Sequence, residues 1–98
     1  MSELRFEWDH AKAVANRRKH RVSFEEAQSI FLDESAVLID DPDHSRTEQR
    51  FVLVGLSAGL RVLTVSHCYR KADDVIRIIS ARKATRKERE AYSGRWRK

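Results

Sequence analysis

Apolar and polar residues alternate through Leu4-Arg5-Phe6-Glu7-Trp8, the pattern of a short, half-buried strand. Asp9 then stands at an N-cap position, ahead of Ala11, Val14 and Ala15 at helical spacing. This helix is predicted to end in the cationic run Arg17-Arg18-Lys19-His20-Arg21, where positive side chains suit the negative end of the helix dipole. Ser23 and Glu26 form a capping box that opens a second short helix, with Phe24, Ala27, Ile30 and Phe31 on one face. Ala36 to Ile39 reads as a brief strand, and Asp40 to Ser45 as the most loop-like stretch. Phe51–Leu56 and Val62–Ser66 are strong strand signals with a hairpin-length connection between them. Val75–Ile79 is a further strand, and a closing helix is predicted over about Thr85–Tyr92, capped by Thr85 and Glu88 or starting a turn earlier at Ser80.

Strand, two helices, about four strands and a helix describe a small α+β domain. Short connections between the later strands predict an antiparallel sheet, with the helices burying its apolar face. Ninety-eight residues make one domain, spanning 1–98. The lone Cys68 excludes an intrachain disulfide and a four-cysteine zinc site. No secretory signal or membrane-spanning run is present, so the expected compartment is the cytoplasm and no membrane partner is expected.

Charge changes the picture. The net value is +5, but residues 1–49 carry −4 and residues 50–98 carry +9. From Arg77 onward there are nine basic and two acidic side chains. Such asymmetry suits a polyanionic partner, provided that the basic residues share a face.

Missing motifs narrow the chemistry. There is no glycine-rich phosphate loop, no HExxH and no closely spaced Cys/His set, so no cofactor and no metal site are expected. His44 beside Asp40, Asp41 and Asp43 could collect a cation, but a solvated turn is the stronger reading. His67 shares strand parity with Leu63, Val65 and Tyr69. It is either a core-edge histidine filling space or an acid–base group, and the spacing favours the former. Arg77 interrupts an apolar strand, sharing parity with Val75, Ile79 and Ala81, whereas Arg82 takes the other side with Ile76, Ile78 and Ser80. Arg82, Arg86 and Arg89 recur at helical spacing as a basic ridge, with Lys83 and Lys87 in a row beside it. Tyr69, Tyr92 and Trp96 are the candidates to stack on an unpaired base. Phe6, Trp8, Phe24, Phe31 and Phe51 fit core positions.

If these groups converge, they suit metal-free RNA cleavage. The 2′-OH is the nucleophile, arginine forks neutralise the phosphorane-like transition state, and a histidine moves the proton. Replacing Arg82 by Ala is then expected to lower activity while shifting stability by no more than about 0.5 kcal/mol. The alternative is a non-catalytic module that binds nucleic acid or a protein through the same basic face.

Several phrases in order resemble the BrnT toxins: Phe6-Glu7-Trp8-Asp9 with Ala11-Lys12-Ala13, Asn16, Lys19-His20, and Val22-Ser23-Phe24-Glu25-Glu26-Ala27. His44-Ser45 with Glu48 and Arg50, Gly55, Arg61-Val62-Leu63, and Ile76 through Thr85 with Glu88-Arg89 and Tyr92 complete the likeness. That resemblance implies the fold of the RelE and ParE toxins and a ribonuclease that arrests translation. It also implies a BrnA-like antitoxin as partner, with operator DNA met only through the toxin–antitoxin complex. On this basis Arg77, Arg82, Lys83 and Tyr92 are the expected catalytic residues, with His67 added from local reasoning. Arg86, Lys87, Arg89 and Trp96 are the expected RNA contacts. Glu48 and Arg50, two apart on a strand, are read as pairing with each other rather than as chemistry. Arg21 stands where the family usually has glycine. If the backbone there needs positive φ, arginine costs about 1–2 kcal/mol.

Overall fold

The computed structural model describes residues 4–40, 50–70 and 74–94. The chain runs β1 (Arg5–Glu7), α1 (His10–His20), α2 (Phe24–Ser29), a 3₁₀ turn (Ile30–Leu32), β2 (Val37–Asp40), β3 (Phe51–Leu56), β4 (Val62–Arg70), β5 (Val75–Lys83) and α3 (Arg86–Gly94). The expected caps form. The Asp9 carboxylate accepts from the Lys12 amide at 3.0 Å, and the Ser23 hydroxyl from the Glu26 amide at 3.0 Å.

The five strands make one sheet in the order β1-β5-β4-β3-β2. Strands β2 to β5 pair antiparallel, as expected. The N-terminal strand adds to the far edge parallel to β5, so the sheet is mixed rather than antiparallel throughout. The two helices carry the chain across the sheet from β1 at one edge to β2 at the other. They pack on one face, and Val22, Phe24, Ala27 and Ile30 meet Leu63, Val65, Ile78 and Ala81 in the core. Phe6, Trp8 and Phe31 pack against that core from its edge.

Two local features set the positions of the cationic residues. First, β5 continues to Lys83, past the Ile79 end predicted for it. Arg82 and Lys83 are therefore strand residues, and the helical ridges proposed to begin with them do not form. Second, Ser66 pairs with Ser80 but His67 with Ile78, which leaves Ile79 as an extra residue on β5. This bulge reverses the alternation of side chains along the strand. It puts Ala81 in the core opposite Val65, and it puts both Arg77, opposite Cys68, and Arg82, opposite Thr64, on the face away from α1 and α2. Beyond the end of β1, Asn16 of α1 takes the place of a strand partner. Its amide donates to the Ala81 carbonyl at 2.8 Å, and its oxygen accepts from the Ala81 amide at 3.0 Å.

Candidate functional site

On the sheet face opposite α1 and α2, Val52 and Val54 make the β3 side apolar, and the polar side chains gather on β4, β5 and β1. Thr64, Ser66, Cys68 and Arg70 of β4 lie beside Arg82, Ser80 and Arg77 of β5, with Glu7 of β1 next to Arg77. At one end Glu7 accepts from Arg77 at 2.8 Å and lies 3.4 Å from Arg70. These side chains are 32%, 32% and 50% exposed, and Asp9 adds a second carboxylate near enough to Arg77 to feel its charge. Sequence reasoning overlooked Glu7 and Arg70 as site residues. The signal was strand parity: Arg70 follows Thr64, Ser66 and Cys68 at intervals of two.

The other end is electrically closed. Arg82 holds both oxygens of Glu88 at 2.7 and 2.9 Å, and Glu88 also accepts from the Thr64 hydroxyl and the Thr85 amide. The Arg82 guanidinium, helped by the Thr85 and Thr64 donors, overcomes partial burial and lowers the Glu88 pKa to about 2. Glu88 in turn raises that of Arg82. The Thr85–Glu88 capping box predicted for the last helix forms inside this network.

The remaining expected residues separate. Lys83 pairs with Leu63, so it belongs to the opposite face from Arg82 and is exposed at its rim. His67 is 0% exposed within a ring cluster of Phe31, Phe51 and Tyr69, on the helix-covered side. Burial lowers its pKa, against the hydrogen bond to the Val65 carbonyl. The sheet therefore separates it from Arg77. Tyr92 donates to Asp33 at 2.7 Å, and burial followed by that carboxylate raises its pKa to about 12. Burial opposes ionisation of Asp33, but the Leu56 amide, the Tyr92 hydroxyl and the Ser35 amide leave its pKa lowered. Leu56 lies opposite Val62, six residues along β4 from the partner of Arg77, or about 20 Å away. Arg77 and Arg82 themselves are about 13 Å apart by the same count, Cys68 to Thr64. They share a face.

On α3, Arg86, Lys87 and Arg89 are exposed, and Arg86 makes only a solvated pair with Glu90. Trp96, the His44 loop and the Glu48 side of the expected Glu48–Arg50 pair lie outside the described residues. Among the described residues no three His, Cys, Asp or Glu side chains converge as a metal cluster. No helix among them is long and apolar enough to cross a membrane.

Residues 8–88 match the family described as ribonuclease toxin, BrnT, of type II toxin–antitoxin systems. The chain belongs to the BrnT family. The BrnT match runs from Trp8 to Glu88 and so takes in Arg70, Arg77 and Arg82, while Glu7 precedes it and Tyr92 follows it. The crystal structure of the Brucella abortus ribonuclease toxin BrnT is similar over 86% of this chain and all of that one, with 21% identity and a TM-score of 0.66. The shared architecture is the RelE/ParE-like fold. No curated protein matches the sequence.

Proposed function

We propose that the chain is a metal-independent ribonuclease toxin whose substrate lies along the open face of the sheet. The observation that carries this reading is the partly exposed Glu7–Arg70–Arg77 cluster on that face, within a chain of the BrnT family. Arg70 and Arg77 clamp the scissile phosphate and neutralise its growing charge. Glu7 accepts the 2′-hydroxyl proton as that oxygen attacks phosphorus. The 5′-oxygen leaves and takes a proton from water, giving a 2′,3′-cyclic phosphate and a 5′-hydroxyl. Carboxylates are weak general bases at neutral pH, so turnover on free RNA is modest. Arg82 acts as a positioning residue, holding α3 to the sheet, and its remaining N–H groups meet a neighbouring phosphate. Arg86, Lys87 and Arg89 extend the backbone contact along α3. A BrnA-like antitoxin neutralises the toxin in the cytoplasm, and operator DNA is met only through their complex.

A second reading, RNA binding without turnover, draws on the burial of His67, which removes that imidazole from the face. One assay separates the two. The purified chain is incubated with single-stranded RNA in EDTA, beside an Arg70→Gln/Arg77→Gln variant. Cleavage to cyclic-phosphate ends, reduced at least about 10²-fold in the variant, is the expected result. Intact RNA that is bound but not cut favours the binder. Equal cleavage by both proteins contradicts the assigned cluster.

A further inference from the structure

On the far side of the sheet, α1 presents a second cationic surface that the cleavage site does not use. Its sequence, HAKAVANRRKH, contains no carboxylate, and Arg17, Arg18, Lys19 and the following Arg21 are all exposed. Among the described residues no carboxylate engages any of the four. Complementing the helix dipole does not require this many charges, because a helix C-terminus carries about half a negative charge. Arg17, Arg18 and Arg21 line a shallow hollow of about 530 Å³ with Val14.

Arg21 adds an independent observation. It occupies the left-handed region at φ 61°, ψ 31°, where a side chain is strained and glycine is at ease. The cap needs only the backbone of this residue: its amide donates to the Arg17 carbonyl at 2.9 Å, and its carbonyl accepts from Arg61 at 3.1 Å. Glycine would serve both bonds. The arginine side chain instead adds a cation to the hollow at a strained position where glycine would carry both bonds.

We propose that the α1 C-terminal surface, formed by Arg17, Arg18, Lys19 and Arg21, docks the phosphodiester backbone of a folded RNA. The inference rests on the RNA reading above and adds a second contact on the opposite side of the sheet. The hollow offers Val14 as its apolar component, whereas protein interfaces centre on apolar anchors. Three guanidiniums around a single aliphatic side chain give the dense positive charge of a nucleic-acid interface. Arginine forks meet phosphate oxygens two at a time, and Arg17 and Arg21 are one helical turn apart, a rise of about 6 Å. Without base-reading groups the surface follows backbone shape and charge, as recognition of helical RNA does. A folded RNA held here presents its single-stranded part to the open face. A short oligonucleotide reaches only the open face.

The test measures salt-dependent binding of a 20-base-pair RNA duplex by fluorescence anisotropy, and cleavage of a short single-stranded RNA. The proteins are the full chain, an Arg17→Gln/Arg18→Gln/Lys19→Gln variant, and Arg21→Gly. The triple variant is expected to lose about tenfold or more in duplex affinity near 0.15 M salt. The steepness of its salt dependence falls by about two to three, while cleavage of the short RNA is unchanged. Arg21→Gly gives a smaller loss, about one in slope, together with a higher melting temperature, so weaker binding by it is not a folding defect. Duplex affinity and slope equal to wild type in both variants overturn the proposal. So does weakening confined to a DNA duplex or to polyglutamate, which would assign the surface to another partner. Unchanged duplex binding with intact cleavage refutes this surface alone, whereas a wild-type chain that neither binds nor cuts RNA refutes the underlying reading as well.

Discussion

At the scale of single residues, burial decides the role of His67. Its ring is closed in by Phe31, Phe51 and Tyr69, and burial favours the neutral form. In the unfolded chain the imidazole takes a proton near pH 6.5. The folded pKa is depressed, so as pH falls below about 6.5 the unfolded state binds protons that the native state refuses, and stability drops. Urea unfolding should therefore show a lower midpoint at pH 5.5 than at pH 7.5, with a smaller difference in His67→Leu. That variant loses about 1–3 kcal/mol in stability yet still cleaves RNA at a temperature where it is folded. A loss of 10²-fold or more in turnover with stability intact would instead restore His67 as the catalytic base. Strand parity identified its face, but sequence could not show how completely three rings from separate elements would cover it.

At the scale of elements, the junction of β5 with α3 shows where reading the sequence succeeded and where it stopped. The Thr85–Glu88 box was legible because capping chemistry is local. The bulge at Ile79 was not, because an unpaired residue on β5 depends on the register with β4, which no pattern within β5 encodes. That single residue put Arg77 and Arg82 on a common face. It also placed Arg82 against Glu88, so the expectation of a nearly neutral Arg82→Ala is revised. Removing the guanidinium leaves Glu88 half-buried without its cation, at a cost of about 2 kcal/mol or more, measurable by denaturant titration. Glu88 is held near pKa 2 against an ordinary 4.5. Its depressed value means that its contribution is complete above pH 4.5 and disappears as pH falls toward 2. An Arg82→Ala variant should lose less stability over that interval than wild type. At the end of α1 the positive φ anticipated for Arg21 is present, and Arg21→Gly should stabilise the chain by about 1 kcal/mol.

At the scale of the whole molecule, two faces divide the work. One is covered by α1 and α2 and holds the core together with His67. The other keeps Arg70, Arg77 and Glu7 in solvent. The order of elements was readable because strands and helices declare themselves by period, and family phrases spread along the chain reinforced that order. The parallel docking of β1 was not readable, since a three-residue strand carries no mark of its partner. That docking matters for the site because it brings Glu7 to Arg77 across seventy residues of sequence. The charge asymmetry along the chain pointed to its second half, yet the cluster draws its carboxylate from the first.

The most direct measurement is amide chemical-shift mapping with a short 2′-O-methyl RNA, which lacks the free nucleophile and so stays intact. Perturbations are expected to concentrate at Glu7, Ser66, Cys68, Arg70, Arg77 and Ser80 on the open face. Perturbations confined to the opposite side, around Phe51, His67 and Tyr69, with Arg70 and Arg77 unmoved, would contradict that expectation.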